Sequence, residues 1–497
     1  MDPQLWKSAY YDRFVRPRAL RIPGLRDHDL FAKSVNFSSK ISRWLEDDHL
    51  VKGGRRTNWK RQYKLRHNWS RGSCNITETR VAERPSIPPL LVRLHEDVVI
   101  TVDATEGLRA WKINGEQRVI ATMPFDTEPV NDLKLAAPTS LALDTSNSDY
   151  TLGIAIGFAN GKFGTYEFDR RKPGFTLRYM HAPSSNGTIS AIAYASPYLL
   201  SMTDTCLLSF YRFSSETEKN IGEREQYTPR LLSSLKSHTA WPPLSLAIRV
   251  SPTSIFASIA YTMPTYLAGW SVGLQELLLT PAGSVLESRL ASAQTQGFTT
   301  LSTSPSRSTS PKPRPDVSPS RGRQPEAPQS SRPTSLSYTH PYLLATHADN
   351  TLTLYMVNSN ADDLSIGPGH RLWGHTSSVS SAHVGDRGKA VSFSKHGNEL
   401  RVWELEGGIS FHTNRRRTVA GQASIQVRPE KAVSRADAER DSRNAGDSAA
   451  SNREVRFENC NRELAITKGW VAFNEETVVV LRDQHEGSQS LVVYDFT

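Results

Sequence analysis

Along this chain one short pattern returns: apolar, two residues, aromatic, one residue, apolar. It occurs as LRAWKI (Leu108–Ile113), FGTYEF (Phe163–Phe168), LSFYRF (Leu208–Phe213) and LAGWSV (Leu267–Val272). It continues as LTLYMV (Leu352–Val357), LRVWEL (Leu400–Leu405) and LVVYDF (Leu491–Phe496). Alternation with a period of two turns one face of a strand toward a core. Before each copy lies a turn, and before most turns another apolar run. PYLLSMTDTCLLSFYRF and PYLLATHADNTLTLYMV superimpose almost residue for residue, and VVITVDATEGLRAWKI and KAVSFSKHGNELRVWEL follow the same plan. These are β-hairpins, and the pattern predicts an all-β chain built from a repeated unit.

The aromatic positions Trp111, Tyr166, Tyr211, Trp270, Tyr355, Trp403 and Tyr494 are 55, 45, 59, 85, 48 and 91 residues apart. A four-stranded blade takes roughly 40–45 residues. Two long steps contain inserts that restore this length when removed. Residues 294–335 are rich in Ser, Pro and Arg, and residues 412–456 are rich in charge and Ala. Both are too poor in large apolar groups to bury a core, so both are expected to be disordered. The alternative to one seven-bladed β-propeller is a pair of β-sandwich domains.

The repeat resembles the WD-repeat family. There an aromatic-acid pair closes the third strand of a blade, and Gly-His precedes the first. Gly374-His375 before Trp403-Glu404 fits best, Tyr166-Glu167 and Tyr494-Asp495 keep the acid, and Asp349 holds a tight turn before Tyr355. The resemblance implies that the aromatics, with Gly374 and His375, have structural roles in the blades. It also implies that the last copy, a third strand, needs an outer neighbour. The β-branched, alternating stretch Ser73–Val81 is expected to pair with Leu491–Phe496 and close the fold within 73–497.

Ahead of the repeats, Asp2–Phe14 reads as a short amphipathic helix, with Leu5, Trp6, Tyr10 and Phe14 at helical spacing. It resembles the last part of an F-box, expected here as a C-terminal remnant over residues 1–20. A basic helical linker over 21–72 follows. Its segment Thr57–Gly72, with Trp59 and an Asn68-Trp69…Gly72 ending, resembles the linker-to-propeller junction of F-box/WD-repeat proteins of the fungal type. That family implies a substrate-receptor subunit of an SCF-type cullin-RING ubiquitin ligase. Leu5, Trp6 and Tyr10 would be the remnant facing the small adaptor subunit. The substrate would be a protein bound by the propeller, and arginines would suit a phosphorylated one. A WD-repeat scaffold without a ubiquitin role is the alternative, and a nucleic-acid-associated factor is a more distant one.

Composition narrows these readings. The net charge is +10, and Val51–Gly72 holds eight Lys/Arg and no acid. Such a run is a solvated basic face or, less readily, a nucleic-acid surface. Cys74, Cys206 and Cys460 are far apart and odd in number, pointing to reduced thiols and to the cytoplasm or nucleus. The start, MDPQLWKSAYYDRF, has no apolar core of a signal peptide, and no run reaches membrane-spanning length. Neither a metal-ligand spacing nor a nucleophile motif occurs, so no catalytic residue, metal or cofactor is expected. His238 and His375 read as structural, and GFANGKFG (Gly157–Gly164) lacks phosphate-loop spacing. Ser304, Ser310 and Ser318 precede Pro, and Thr418 follows Arg415–Arg417, so these four are candidate phosphorylation sites.

Overall fold

A computed structural model describes residues 3–15, 58–84, 86–115, 117–125, 137–144, 150–213, 229–236, 241–251, 254–265, 269–280, 282, 284–293, 331–360, 363–385, 388–394, 399–405, 424–429, 470–483 and 488–497. Among them are two α-helices, α1 (Pro3–Tyr10, continued by a π-helical turn, Tyr11–Val15) and α2 (Trp59–Arg71), and seven antiparallel sheets. The fold is a seven-bladed β-propeller. Two compact units make up the chain: Met1–Glu128 with Trp373–Thr497, and Pro129–Leu372.

In the first unit, blade one is Leu91–His95, Val98–Asp103, Gly107–Lys112 and Arg118–Met123, paired in that order. Blade six is Val379–Val384, Lys389–Ser394, Glu399–Glu404 and Ser424–Gln426. Blade seven takes Trp470–Phe473, Thr477–Asp483 and Gln489–Asp495 from the end of the chain and Ser73–Ala82 from ahead of blade one. The second unit holds blade two (Pro138–Asp144, Thr151–Phe158, Phe163–Asp169, Gly174–Met180) and blade three (Ile189–Ala195, Tyr198–Thr203, Leu207–Phe213, Pro229–Lys236). It also holds blade four (Trp241–Val250, Ile255–Pro264, Trp270–Leu279, Val285–Ser292) and blade five (Pro333–Thr339, Tyr342–His347, Leu352–Ser359). Blade five's outer strand is split, because Leu364–Ile366 and His370–Leu372 both pair with Leu352–Ser359.

The early strand lies antiparallel to the last one, with Ile76 opposite Tyr494, Glu78 opposite Val492 and Arg80 opposite Ser490. Without it the strand Gln489–Asp495 would present a bare row of backbone donors and acceptors, an invitation to pair with another chain. Parallel pairing of Arg428–Pro429 with Ser73–Cys74 covers part of the next edge.

Two boundaries differ from the sequence expectation. The first strand of blade five starts at Pro333, inside the segment 294–335. Blade six's outer strand, Ser424–Gln426, and the Arg428–Pro429 bridge fall inside 412–456. A short apolar alternation, Ile425 and Val427, is hidden in that polar tract, and Val427 joins the core around Val402 and Tyr494. Apart from Ser331 and Arg332 just ahead of blade five, the rest of both segments lies outside the described residues.

Candidate functional site

The leader is fused to blade seven through α2. Asn58 caps the helix, its side-chain oxygen accepting from the Arg61 amide at 3.1 Å. Gly72 ends it with φ +70, a left-handed conformation in which a Cβ would run into the Gln426 carbonyl. Between these caps Leu65 and Trp69 are buried in the blade-seven core with Val478, Val492 and Phe496. The Trp69 ring stacks on Phe496 with centroids 4.0 Å apart, and its indole N–H donates to the Glu475 carbonyl at 2.8 Å. Asn68 donates to the Phe496 carbonyl at 2.8 Å. The Asn-Trp-x-x-Gly ending thus acts as a rigid weld: a ring and an amide for the blade, and a glycine to let the chain turn into the early strand.

Helix α1 packs on the opposite stretch of α2 through aromatic edges. Tyr10 is buried, 5.5 Å from the Trp59 ring, and Trp6 meets Tyr63 edge-on at 5.4 Å. Phe14 approaches Tyr63 at 5.3 Å, and Arg13 donates to the Tyr63 hydroxyl at 2.5 Å. Leu5 stands out from this cluster, 66% exposed. Of the three expected adaptor-facing residues, then, Tyr10 is spent on internal packing, Trp6 is partly spent, and Leu5 is presented to solvent.

Much of the basic character of α2 is used within the molecule. Arg61 pairs with Glu476 at 2.7 Å, Lys64 donates to the Thr497 carbonyl at 3.3 Å, and Lys60 sits 6.0 Å over the Trp6 ring.

The blade residues fall into three groups. In blade six, the Trp403 indole N–H donates to Ser392 Oγ at 2.7 Å, and the same hydroxyl shares a hydrogen bond of 2.6 Å with His375 Nε2. His375 Nδ1 lies 3.4 Å from Glu399 Oε2. Burial holds His375 down to about 4, so the ring is neutral at physiological pH. Gly374 is crowded by Arg401, Ser424 and Trp403. Blade one reaches a similar end with other residues: Trp111 donates to Thr101 at 2.8 Å, and Arg109 pairs with Asp103 at 2.7 Å and with the Val81 carbonyl at 2.9 Å. Tyr166, Tyr211, Tyr355 and Tyr494 lie within their third strands, opposite Ile154, Leu199, Leu343 and Val478 of the second. Burial pushes each of these four hydroxyls above its ordinary range.

Trp270 is a correction. It opens its strand, opposite Pro264, where the other aromatics lie in the middle or toward the end of theirs. The true counterpart in blade four is the run LQELLL (Leu274–Leu279), where Leu replaces the aromatic and Glu276 occupies a core-facing position. Glu276 is fully buried: Oε1 accepts from Arg249 at 2.6 Å and Oε2 from Arg289 at 3.0 Å and Ser359 at 2.6 Å. Nothing in the repeat pattern signals this cluster, because its charges come from three separate strands.

Ser304, Ser310, Ser318 and Thr418, like His238 and Cys460, lie outside the described residues. Among the described residues, no group of three or more His, Cys, Asp or Glu side chains could hold a metal ion, and no helix is long and apolar enough to cross a membrane.

A propeller carrying a helical leader welded to its closing blade defines a class of protein-binding modules. Residues 74–497 match the model of the family described as F-box protein pof12 beta-propeller. The chain belongs to that family. No curated protein sequence matches the chain. Similar solved structures include the WD40 β-propeller domain of Doa1, 10% identical, covering 84% of this chain and 95% of that one with a TM-score of 0.39. Saccharomyces cerevisiae Sqt1 is 9% identical, with coverages of 86% and 99% and a TM-score of 0.40. U3-55K is 9% identical, with coverages of 83% and 99% and a TM-score of 0.39.

Proposed function

We propose that this chain is the non-catalytic substrate-recognition subunit of an SCF-type ubiquitin ligase. Its propeller would bind target proteins for ubiquitin-dependent degradation. Membership of a family named for F-box proteins supports this reading, and one observation carries it furthest. Leu5 is presented to solvent on a helix that packs rigidly, through Trp6, Tyr10, Trp59 and Tyr63, on a linker welded to the propeller. A receptor needs that arrangement. The ligase accelerates transfer by holding the target near the ubiquitin-charged enzyme, and a floppy joint would forfeit the orientation. The chain would use no cofactor and carry out no reaction of its own. Its place would be the cytoplasm or nucleus, where its thiols stay reduced.

Affinity purification of the tagged chain from cells, read by quantitative mass spectrometry, tests the proposal. Adaptor and cullin peptides should be recovered, and Leu5→Arg should cut their recovery about tenfold while leaving the propeller folded. Recovery of neither would favour a scaffold without a ubiquitin role. Salt-sensitive RNA retention lost on changing Lys60, Arg61, Lys64 and Arg66 together would favour a nucleic-acid factor. The internal pairing of Arg61 and Lys64 argues against that last reading.

A further inference from the structure

The strands of blade four that meet at Thr262 and Trp270 project a patch that the repeat does not require. Trp241 opens the first strand opposite Thr262, and Pro264 ends the second opposite Trp270. The buried Thr262 hydroxyl lies 3.1 Å from the Trp241 carbonyl and 2.9 Å from that of Pro242, pinning the start of the strand. Arg332 comes in just ahead of blade five. Its guanidinium lies over the Trp270 ring at 4.9 Å, and one of its N–H groups donates to the Pro242 carbonyl at 2.8 Å. Among the described residues Arg332 has no acidic partner. Beside it the Trp241 ring is 50% exposed, and Pro242 and Pro264 are exposed as well.

This patch is preorganised. Among the described residues four N–H groups of Arg332 remain, and the ring beneath it together with the carbonyl holds them in one orientation. A planar guanidinium held this way matches a carboxylate with two parallel bonds. The exposed indole and the two prolines offer an apolar shelf at its side. Trp and Arg at a pinned site are the residue types that carry most of the energy in protein interfaces. A nucleic-acid strand draws its affinity from several phosphates at once, whereas the patch as described offers Arg332 alone. The chain's net charge of +10 favours acidic partners.

We propose that Trp241, Trp270 and Arg332 form a docking site for an acidic peptide segment of a partner protein, in which an Asp or Glu lies within two residues of a large apolar side chain. The carboxylate takes the free edge of Arg332, and the apolar side chain covers Trp241. The proposal rests on the substrate-receptor reading and names the kind of segment that receptor would take.

Panning a displayed library of random ten-residue peptides against the intact chain tests it, followed by fluorescence anisotropy on synthetic winners. The winners should pair an acid with a nearby Leu, Ile, Phe or Trp. Arg332→Gln and Trp241→Ala should each weaken binding roughly tenfold or more. Arg332→Lys should weaken it too, because an ammonium cannot make the bidentate contact. Leu290→Ala, on the outer strand of the same blade, should change nothing, and thermal melts should show all four variants folded. Winners without an acid would overturn the site, as would winners that bind Arg332→Gln and Trp241→Ala as tightly as the parent. So would an oligothymidylate that competes for Arg332 where no peptide does. Adaptor recovery should be the same for Arg332→Gln as for the parent. Peptide binding without adaptor recovery would therefore keep the docking site and reject the ligase role, and the converse would do the reverse.

Discussion

Blade six and blade four solve the same packing problem in opposite ways. In blade six the polar groups are satisfied within one sheet: Trp403 to Ser392, Ser392 to His375, His375 against Glu399, and Glu399 to Arg401 at 2.6 Å. Blade four has a different chain: its fully buried Glu276 is met by Arg249, Arg289 and Ser258 of the same blade, and the cluster also reaches into blade five through Ser359 and the Asn360 carbonyl. A blade that holds itself together keeps a recognisable signature. Blade four, whose cluster is shared with its neighbour, has lost the signature and leaves Trp241 50% exposed.

The largest expected effects come from removing the central group of each arrangement. Glu276→Gln leaves two guanidinium groups near a buried site without a counter-charge and should cost about 3–5 kcal/mol in urea unfolding. A loss under about 1 kcal/mol would mean that the cluster is a bystander to blade-four packing. In blade six, Trp403→Ala should cost about 3–5 kcal/mol by deleting a buried ring that also donates a hydrogen bond. Ser392→Ala keeps the volume but strands the Trp403 N–H and His375 Nε2, and about 2 kcal/mol should be lost.

The two blades should also part under acid. Folded His375 titrates at about 4 against an ordinary 6.5. Between those values the unfolded chain binds the extra proton, so stability falls as pH drops from about 6.5 toward 4. Burial raises the Glu399 carboxyl, but the Thr376 amide and Arg401 outweigh it and hold it below its usual range. Its contribution is therefore lost as pH falls below the ordinary 4.5, in the same direction. Replacing His375 by Gln should flatten the stability profile between pH 6.5 and 4. An unchanged slope would place the acid sensitivity elsewhere, with His383, also held to about 4 by burial and by Arg93, the next group to test.

The smallest effect sharpens the contrast most. Trp270 and Trp403 occupy the same place in the sequence repeat. Yet Trp270→Ala should cost no more than about 1 kcal/mol, since its ring lies half-buried at a strand end. Equal losses at the two tryptophans would restore Trp270 to the blade core.

Period-two alternation by itself determined that the chain is built from repeated β-hairpins; the seven-bladed reading needed their spacing, and the closing early strand needed the resemblance to WD-repeat proteins. Alternation is a local property, and the buried face of Gln489–Asp495 is written in its own residues, whereas the early strand leaves Ile76 40% exposed and its register, Ile76 opposite Tyr494, was not legible. The Asn68-Trp69…Gly72 junction was legible only through its resemblance to the linkers of F-box/WD-repeat proteins, and the stacking of Trp69 on Phe496 came from the structure. Only the tertiary structure decided the rest. The register of blade four depends on where Ile255–Pro264 and Trp270–Leu279 meet, and two largely apolar strands can satisfy a hydrophobic pattern in more than one alignment. The Glu276 cluster and the stacking of Arg332 on Trp270 join residues 13 to 83 positions apart. Buried ion pairs and cation–aromatic contacts leave no periodic trace, since their energy depends on distance and desolvation in space and not on spacing along the chain.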